Sequence, residues 1–138
     1  MPARDVFHNQ AKTALTKDGW HVTHDPFSFR IGREPFHIDM GAEKIIGAEK
    51  SGHKIAVEVK SFLSASFSAD FHVAVGQFIN YRSALRREDT ERTLYLAVPQ
   101  HIYQQFFVGK FAQMVIEDEA LKLLIFDVET EEIVEWIE

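Results

Sequence analysis

Glu58 and Lys60 stand two apart in the run KIAVEVKS at 54–61, where Ile55, Val57 and Val59 alternate with Ala56, Glu58 and Lys60. That alternation predicts a strand, and residues two apart on a strand point to the same side. An acid and a lysine sharing one face can be a plain surface ion pair, which contributes only about 0–1 kcal/mol. They can also be chemical partners if a second acid joins them. Asp39 lies 19 residues before Glu58, near the end of a neighbouring predicted strand. Two carboxylates on adjacent strands can share a hard cation such as Mg²⁺ or Mn²⁺, which takes oxygen ligands and keeps several waters. A lysine beside them can orient an attacking water or offset charge on a phosphorane-like transition state. This is a minimal set for metal-dependent phosphodiester hydrolysis. Glu43 competes with Asp39, because 39, 41 and 43 share a face if the strand runs unbroken, although Gly41 suggests a bulge. Gln77 and Tyr81 are four apart on a following helix, hence on one face, and a glutamine there can hold a phosphate or a metal-bound water.

The elements that must place these groups read as follows. A helix is expected over 3–18, with Val6, Phe7, Ala11, Ala14 and Leu15 as its apolar face and Gly19 as its stop. Strands are expected over 20–24, 27–31, 35–40 and 44–50, the last two separated by Gly41 and Ala42, with a tight turn at Ser51-Gly52 before the strand at 54–61. The spacing of Phe71, Ala74, Val75, Phe78, Ile79 and Leu85 predicts a long amphipathic helix over 66–87, with Ser68 as N-cap. A near-continuous apolar strand at 93–98 precedes mostly helical chain over 101–119, broken near Gly109. Strands at 121–126 and 133–137 complete one α/β domain spanning 1–138.

The chain has 138 residues and no cysteine, which excludes a disulfide framework, a Cys-type zinc site and a thiol nucleophile. No apolar run is long enough for a membrane span and the N-terminus has no signal-like apolar segment, so the expected setting is the cytoplasm. The net charge of −6 argues against a polyanionic partner until it is divided along the chain. From Glu117 onward nine acids face Lys122 alone, leaving fourteen bases and twelve acids before them. The body of the protein is therefore compatible with DNA.

The pattern Asp39…Glu58-Val59-Lys60 within an αβββαβ order resembles the PD-(D/E)xK nucleases, the restriction endonuclease-like superfamily. Gln77-Phe-Ile-Asn-Tyr81 is similar to the Q-x-x-x-Y element of some of its branches. The blocks MPARDVFHNQAKTALTKDGWHVTHDP, IDMGAEKIIGAEKSGHKIAVEVKSF, GQFINYR and LYLAVP resemble the XisH family, the fdxN element excision controlling factors of cyanobacteria, over nearly the whole chain. The resemblance implies an αβββαβ core whose mixed central sheet is flanked by helices. It also implies a role in site-specific excision of a DNA element, alongside an XisI-like protein and a separate recombinase that makes and rejoins the breaks. Asp39 and Glu58 match the metal-binding acids of the superfamily, and Lys60 its catalytic lysine. Ile38 stands where a proline is usual, and His8, with Asp5 a turn earlier, stands where many branches carry a helix glutamate. A non-catalytic accessory protein, using the same fold to bind XisI, DNA or the recombinase, is the competing expectation. A symmetric dimer is the default assembly, since paired cuts need two sites.

Other clusters offer less. His21 and His24 are three apart on a strand and face opposite ways, whereas His37 and Asp39 share a face if 35–40 is one strand. Arg82, Arg86 and Arg87, with Arg92 beyond, form a basic cluster at a helix end. It suits the helix dipole, or else contacts nucleic-acid phosphates. Phe62, Phe67, Phe106, Phe107 and Phe111 would mark a partner surface if exposed together.

Overall fold

The computed structural model describes residues 5–45 and 52–138. Its centre is a mixed sheet of six strands, β1 (His21–His24), β4 (Met40–Ile45), β5 (Gly52–Val59), β6 (Arg92–Pro99), β7 (Leu123–Asp127) and β8 (Glu132–Ile137), in that spatial order. The β5–β6 and β6–β7 pairs are parallel and the other three antiparallel. A separate hairpin, β2 (Phe27–Ile31) and β3 (Glu34–Ile38), stands off this sheet. The helices are α1 (His8–Lys17), α2 (Phe67–Glu88), the single turn α3 (Gln100–Ile102), a π-helical turn (Tyr103–Phe107) and α4 (Lys110–Asp118).

The central strands are buried on both faces, which explains why residues 94–99 of β6 and 123–126 of β7 are apolar. On one face Ala11, Ala14 and Leu15 of α1 pack on Ile55, Val57, Val59, Leu124 and Phe126. On the other, Phe71, Ala74, Phe78 and Leu85 of α2 pack with Phe107 on Ala56, Leu94, Leu96 and Val98. The hairpin adds Phe27 and Ile38 to this second layer. Phe62, Phe67, Phe71, Phe106 and Phe107 form one chain of ring contacts, and Phe111, touching Phe71 at its edge, is the strongly exposed member of the group. Phe62, Phe71 and Phe107 are core, and Phe67 and Phe106 are partly buried against it; the strongly exposed part of the expected partner surface shrinks to Phe111.

Several local expectations need correction. The helix-capping residue is Ser66, whose hydroxyl accepts from the Ala69 N–H; Ser68 lies inside the helix. Val6 is exposed; the buried face of α1 is His8, Ala11, Ala14 and Leu15. The chain breaks at Asp39 and runs through Gly41 and Ala42 as one strand, because both glycine and alanine pair regularly with β5. Residues 46–50 of the strand expected over 44–50 and Ser51 of the expected turn lie outside the described residues, as do residues 1–4, the last two of which belong to the expected first helix.

Candidate functional site

β4 and β5 pair antiparallel with Met40 opposite Val57 and Gly41 opposite Ala56. The same register, continued one step, sets Asp39 against Glu58. Main-chain pairing stops there because β3 turns away into the hairpin, and the side chains take over the freed groups. The Val59 N–H donates to Asp39 Oδ2 at 2.8 Å, and the Asp39 N–H donates to Glu58 Oε1 at 3.1 Å. Each acid thus satisfies a backbone donor at the strand end that would otherwise be left unpaired. Beyond β5 the Lys60 N–H donates to Ala97 O, which keeps Lys60 in line with the sheet. Its Nζ stands 3.5 Å from Glu58 Oε2.

Glu58 is only 7% exposed, so this is no surface ion pair. The two carboxyls lie close enough to influence each other's ionisation. Burial, then the neighbouring Asp39 charge, pushes Glu58 up to about 8, with Lys60 pulling the other way. Burial also raises Asp39, opposed by the Val59 N–H and by the nearby His8 and Lys60 charges. Tyr81 on α2 is held at about 12, by burial first and by Glu58 and Asp39 after it. Its ring touches Phe36 of the hairpin at 6.0 Å. Gln77, one turn earlier, has a buried Oε1 with no hydrogen bond among the described residues.

Asp39, Glu58 and Lys60 therefore converge, with Tyr81 within their electrostatic reach. Glu43 does not belong to the group: it pairs with Lys54 in register, four residues down β5, and its carboxylate is 3.9 Å from Arg92. Glu43 does share a face with Asp39, but the register sets it four residues further along the strand, opposite Lys54, too far from Glu58 to join the pair. His37 leaves with the hairpin and meets Ser28 Oγ at 2.8 Å, so it shares no site with Asp39. His8 is 2% exposed, and its Nε2 lies 2.9 Å from Asp25 Oδ1. Asp25 also receives Lys12 Nζ at 2.8 Å. Burial works against the Asp25 carboxylate, but the Lys12 and His8 hydrogen bonds hold it below the usual value. Asp25 gave no sign in the sequence beyond the turn signal Asp25-Pro26. Arg86 and Arg87 are exposed on α2, and Arg82 is tied to Glu119, its Nη1 donating to the Glu119 carbonyl at 2.7 Å. Arg92 is buried, hydrogen-bonded to Ile55 O and stacked over Phe27, so it leaves the basic cluster.

The donor set can be tested against a divalent cation. Among the described residues no group of three or more His, Asp or Glu gathers to hold a metal by itself. Asp39 and Glu58 supply two carboxylates, and Mg²⁺ is commonly held by one or two carboxylates, completed by waters and substrate phosphates. A buried acid pair with raised pKa values is also a place where a positive charge relieves an existing cost. The residues fit the ion.

Fold and site together define a mixed α/β protein with a mixed central sheet flanked by helices, carrying an acid pair and a lysine at the end of its central antiparallel strand pair. The family model described as XisH protein matches residues 1–134, and the chain belongs to the XisH family. A crystal structure described as an XisH family protein from Nostoc punctiforme PCC 73102 is 48% identical, with a TM-score of 0.87 over 97% of this chain and 100% of that one. A second, described as an fdxN element excision controlling factor protein from Anabaena variabilis, is also 48% identical, with a TM-score of 0.87 over 98% of this chain and 100% of that one. A comparison with curated proteins finds no match. No helix among the described residues is long and apolar enough to cross a membrane.

Proposed function

We propose that this protein is an excision controlling factor with a restriction endonuclease-like, PD-(D/E)xK-type site acting on DNA phosphodiesters. The observation that carries this reading is the convergence of the buried Asp39 and Glu58 carboxyls with Lys60 Nζ beside them. Asp39 and Glu58 would hold Mg²⁺ or Mn²⁺. The cation, when bound, supplies Lewis-acid polarisation of the phosphodiester and a more acidic water. Lys60 donates from its ammonium to a non-bridging phosphate oxygen or to the attacking water, so that charge developing on the phosphate oxygens meets a fixed cation. Gln77, whose Oε1 is buried without a partner among the described residues, accepts from a water on the helix side, and its Nε2 can donate to the phosphate. Tyr81 keeps its proton at neutral pH and acts as a hydrogen-bond donor.

The role in excision rests on the family and on the name of the Anabaena variabilis relative. An XisI-like protein and the recombinase are the partners such a role implies, and a symmetric dimer is the expected working form for paired cuts. Nicking of supercoiled plasmid in Mg²⁺ or Mn²⁺, compared among wild type, Glu58→Ala and Lys60→Ala, tests the site. Cleavage by wild type that falls at least about a hundredfold in both variants supports it, the loss expected when a charge-stabilising group is removed. Cleavage surviving both substitutions overturns it, and no cleavage with either metal favours the accessory role.

A further inference from the structure

A groove of about 610 Å³ runs between the β2–β3 hairpin and the C-terminal half of α2. Its helix wall carries Asn80, Ser83, Arg86 and Arg87. Asn80, Ser83 and Arg87 recur at i, i+3 and i+7, so they form one stripe along the helix. None of the four makes a side-chain hydrogen bond or ion pair with another described residue, whereas Arg82 is committed to Glu119 and Arg92 to Ile55. An amide, a hydroxyl and two guanidiniums are the side-chain types that contact phosphate and sugar oxygens in protein–DNA complexes. The hairpin wall offers Ile31, Glu34 and Phe36, a single acid among apolar groups.

Position gives the stripe its meaning. Phe36 lines the groove and touches the Tyr81 ring, and Tyr81 lies within the field of Asp39 and Glu58. From Tyr81 to Arg87 is six residues of helix, about 9 Å at 1.5 Å per residue. That span equals roughly three steps of a duplex at 3.4 Å per step. We infer that this groove seats the DNA sugar-phosphate backbone, with Asn80, Ser83, Arg86 and Arg87 holding the phosphates a few nucleotides from the one presented to the acid pair. The inference rests on the proposed nucleic-acid reading of the acid site, but binding and cleavage can be separated.

Equilibrium binding of a labelled DNA duplex is measured in chelator across a range of salt concentrations. The proteins compared are wild type, Arg86→Ala/Arg87→Ala, Glu34→Lys and a charge control, Lys110→Ala on α4. The double variant should weaken binding to unrelated sequences alike and flatten the dependence of log K on log salt by about two, since each phosphate left without its guanidinium takes about 0.9 from the slope. Glu34→Lys should tighten binding and steepen the slope by about one. Lys110→Ala should keep the wild-type slope. Wild type that fails to bind DNA, or slopes that ignore the arginines and Glu34, would overturn the groove whatever the nicking assay reports. Slopes that follow these residues in a protein that cuts nothing would support the groove while the hydrolytic reading fails.

Discussion

The Glu58 carboxyl is squeezed between an anion and a cation in a place water barely reaches. Lys60 favours its charged form; burial and Asp39 disfavour it more strongly, and its pKa rises from 4.5 to about 8. The folded chain therefore keeps a proton that the unfolded chain has lost between those two values. By linkage, the Glu58 contribution to stability is fully present below about pH 4.5 and is lost as pH rises through about 8, and Asp39, also raised, adds in the same direction. In chelator, Tm should fall between about pH 5 and 9. Glu58→Gln, which keeps the shape and cannot ionise, should show a flatter profile. A wild-type curve with no loss over that window, or one that the substitution leaves unchanged, contradicts the account. The acid, its companion and the lysine were legible as residues because strand alternation and a 19-residue spacing put them on one side. The choice between Asp39 and Glu43 was not legible, since a period of two places both on one face. Register decides it, by setting Glu43 opposite Lys54, and register depends on partners distant in sequence.

Among the elements, the hairpin was the least visible. Residues 35–40 read as one strand because no glycine or proline separates Ile38, Asp39 and Met40. Yet Ile38 belongs to the core layer under α2 and Met40 to the layer under α1. Long-range packing, including Phe36 on Tyr81, pulls the hairpin off the sheet and leaves Asp39 at the corner. Lys54–Val59 and α2 were plain from their periods, and Gly109 marked its break, now the N-cap of α4. Arg92 misled, since a charged residue after a basic cluster looks like a solvated helix end. It instead opens β6 and tucks its guanidinium against Ile55 O at 2.8 Å and over Phe27. Gly41 makes that possible. A Cβ there would stand 2.9 Å from Arg92 Nη1, 3.1 Å from Phe27 Cδ2 and 3.2 Å from His24 Nδ1. The guanidinium is fixed on several sides and cannot swing away freely. Gly41→Ala should therefore destabilise by about 1–3 kcal/mol in urea unfolding, the range for overpacking. Unchanged stability would mean that this end of the sheet repacks without cost.

At the scale of the whole molecule, the acid pair exists because two packed layers meet at one end of one sheet. β4 and β5 bring the carboxyls into register, β6 extends to hold Lys60 through Ala97, and α2 with the hairpin closes the remaining side. A mixed sheet with helices on both faces was readable from the order of periods, and strand burial followed from the apolar runs of β6 and β7. Pairing of β1 directly with β4 was not, because the hairpin intervenes in sequence and leaves no mark in space between them. The central claim is that this convergence is a cation site. Anomalous diffraction from a crystal of the protein grown with Mn²⁺ tests it most directly. The account predicts one strong peak at roughly 2.1 Å from an oxygen of Asp39 and an oxygen of Glu58, absent in Glu58→Ala. A peak held by other residues, or none between these carboxylates at saturating Mn²⁺, would contradict it.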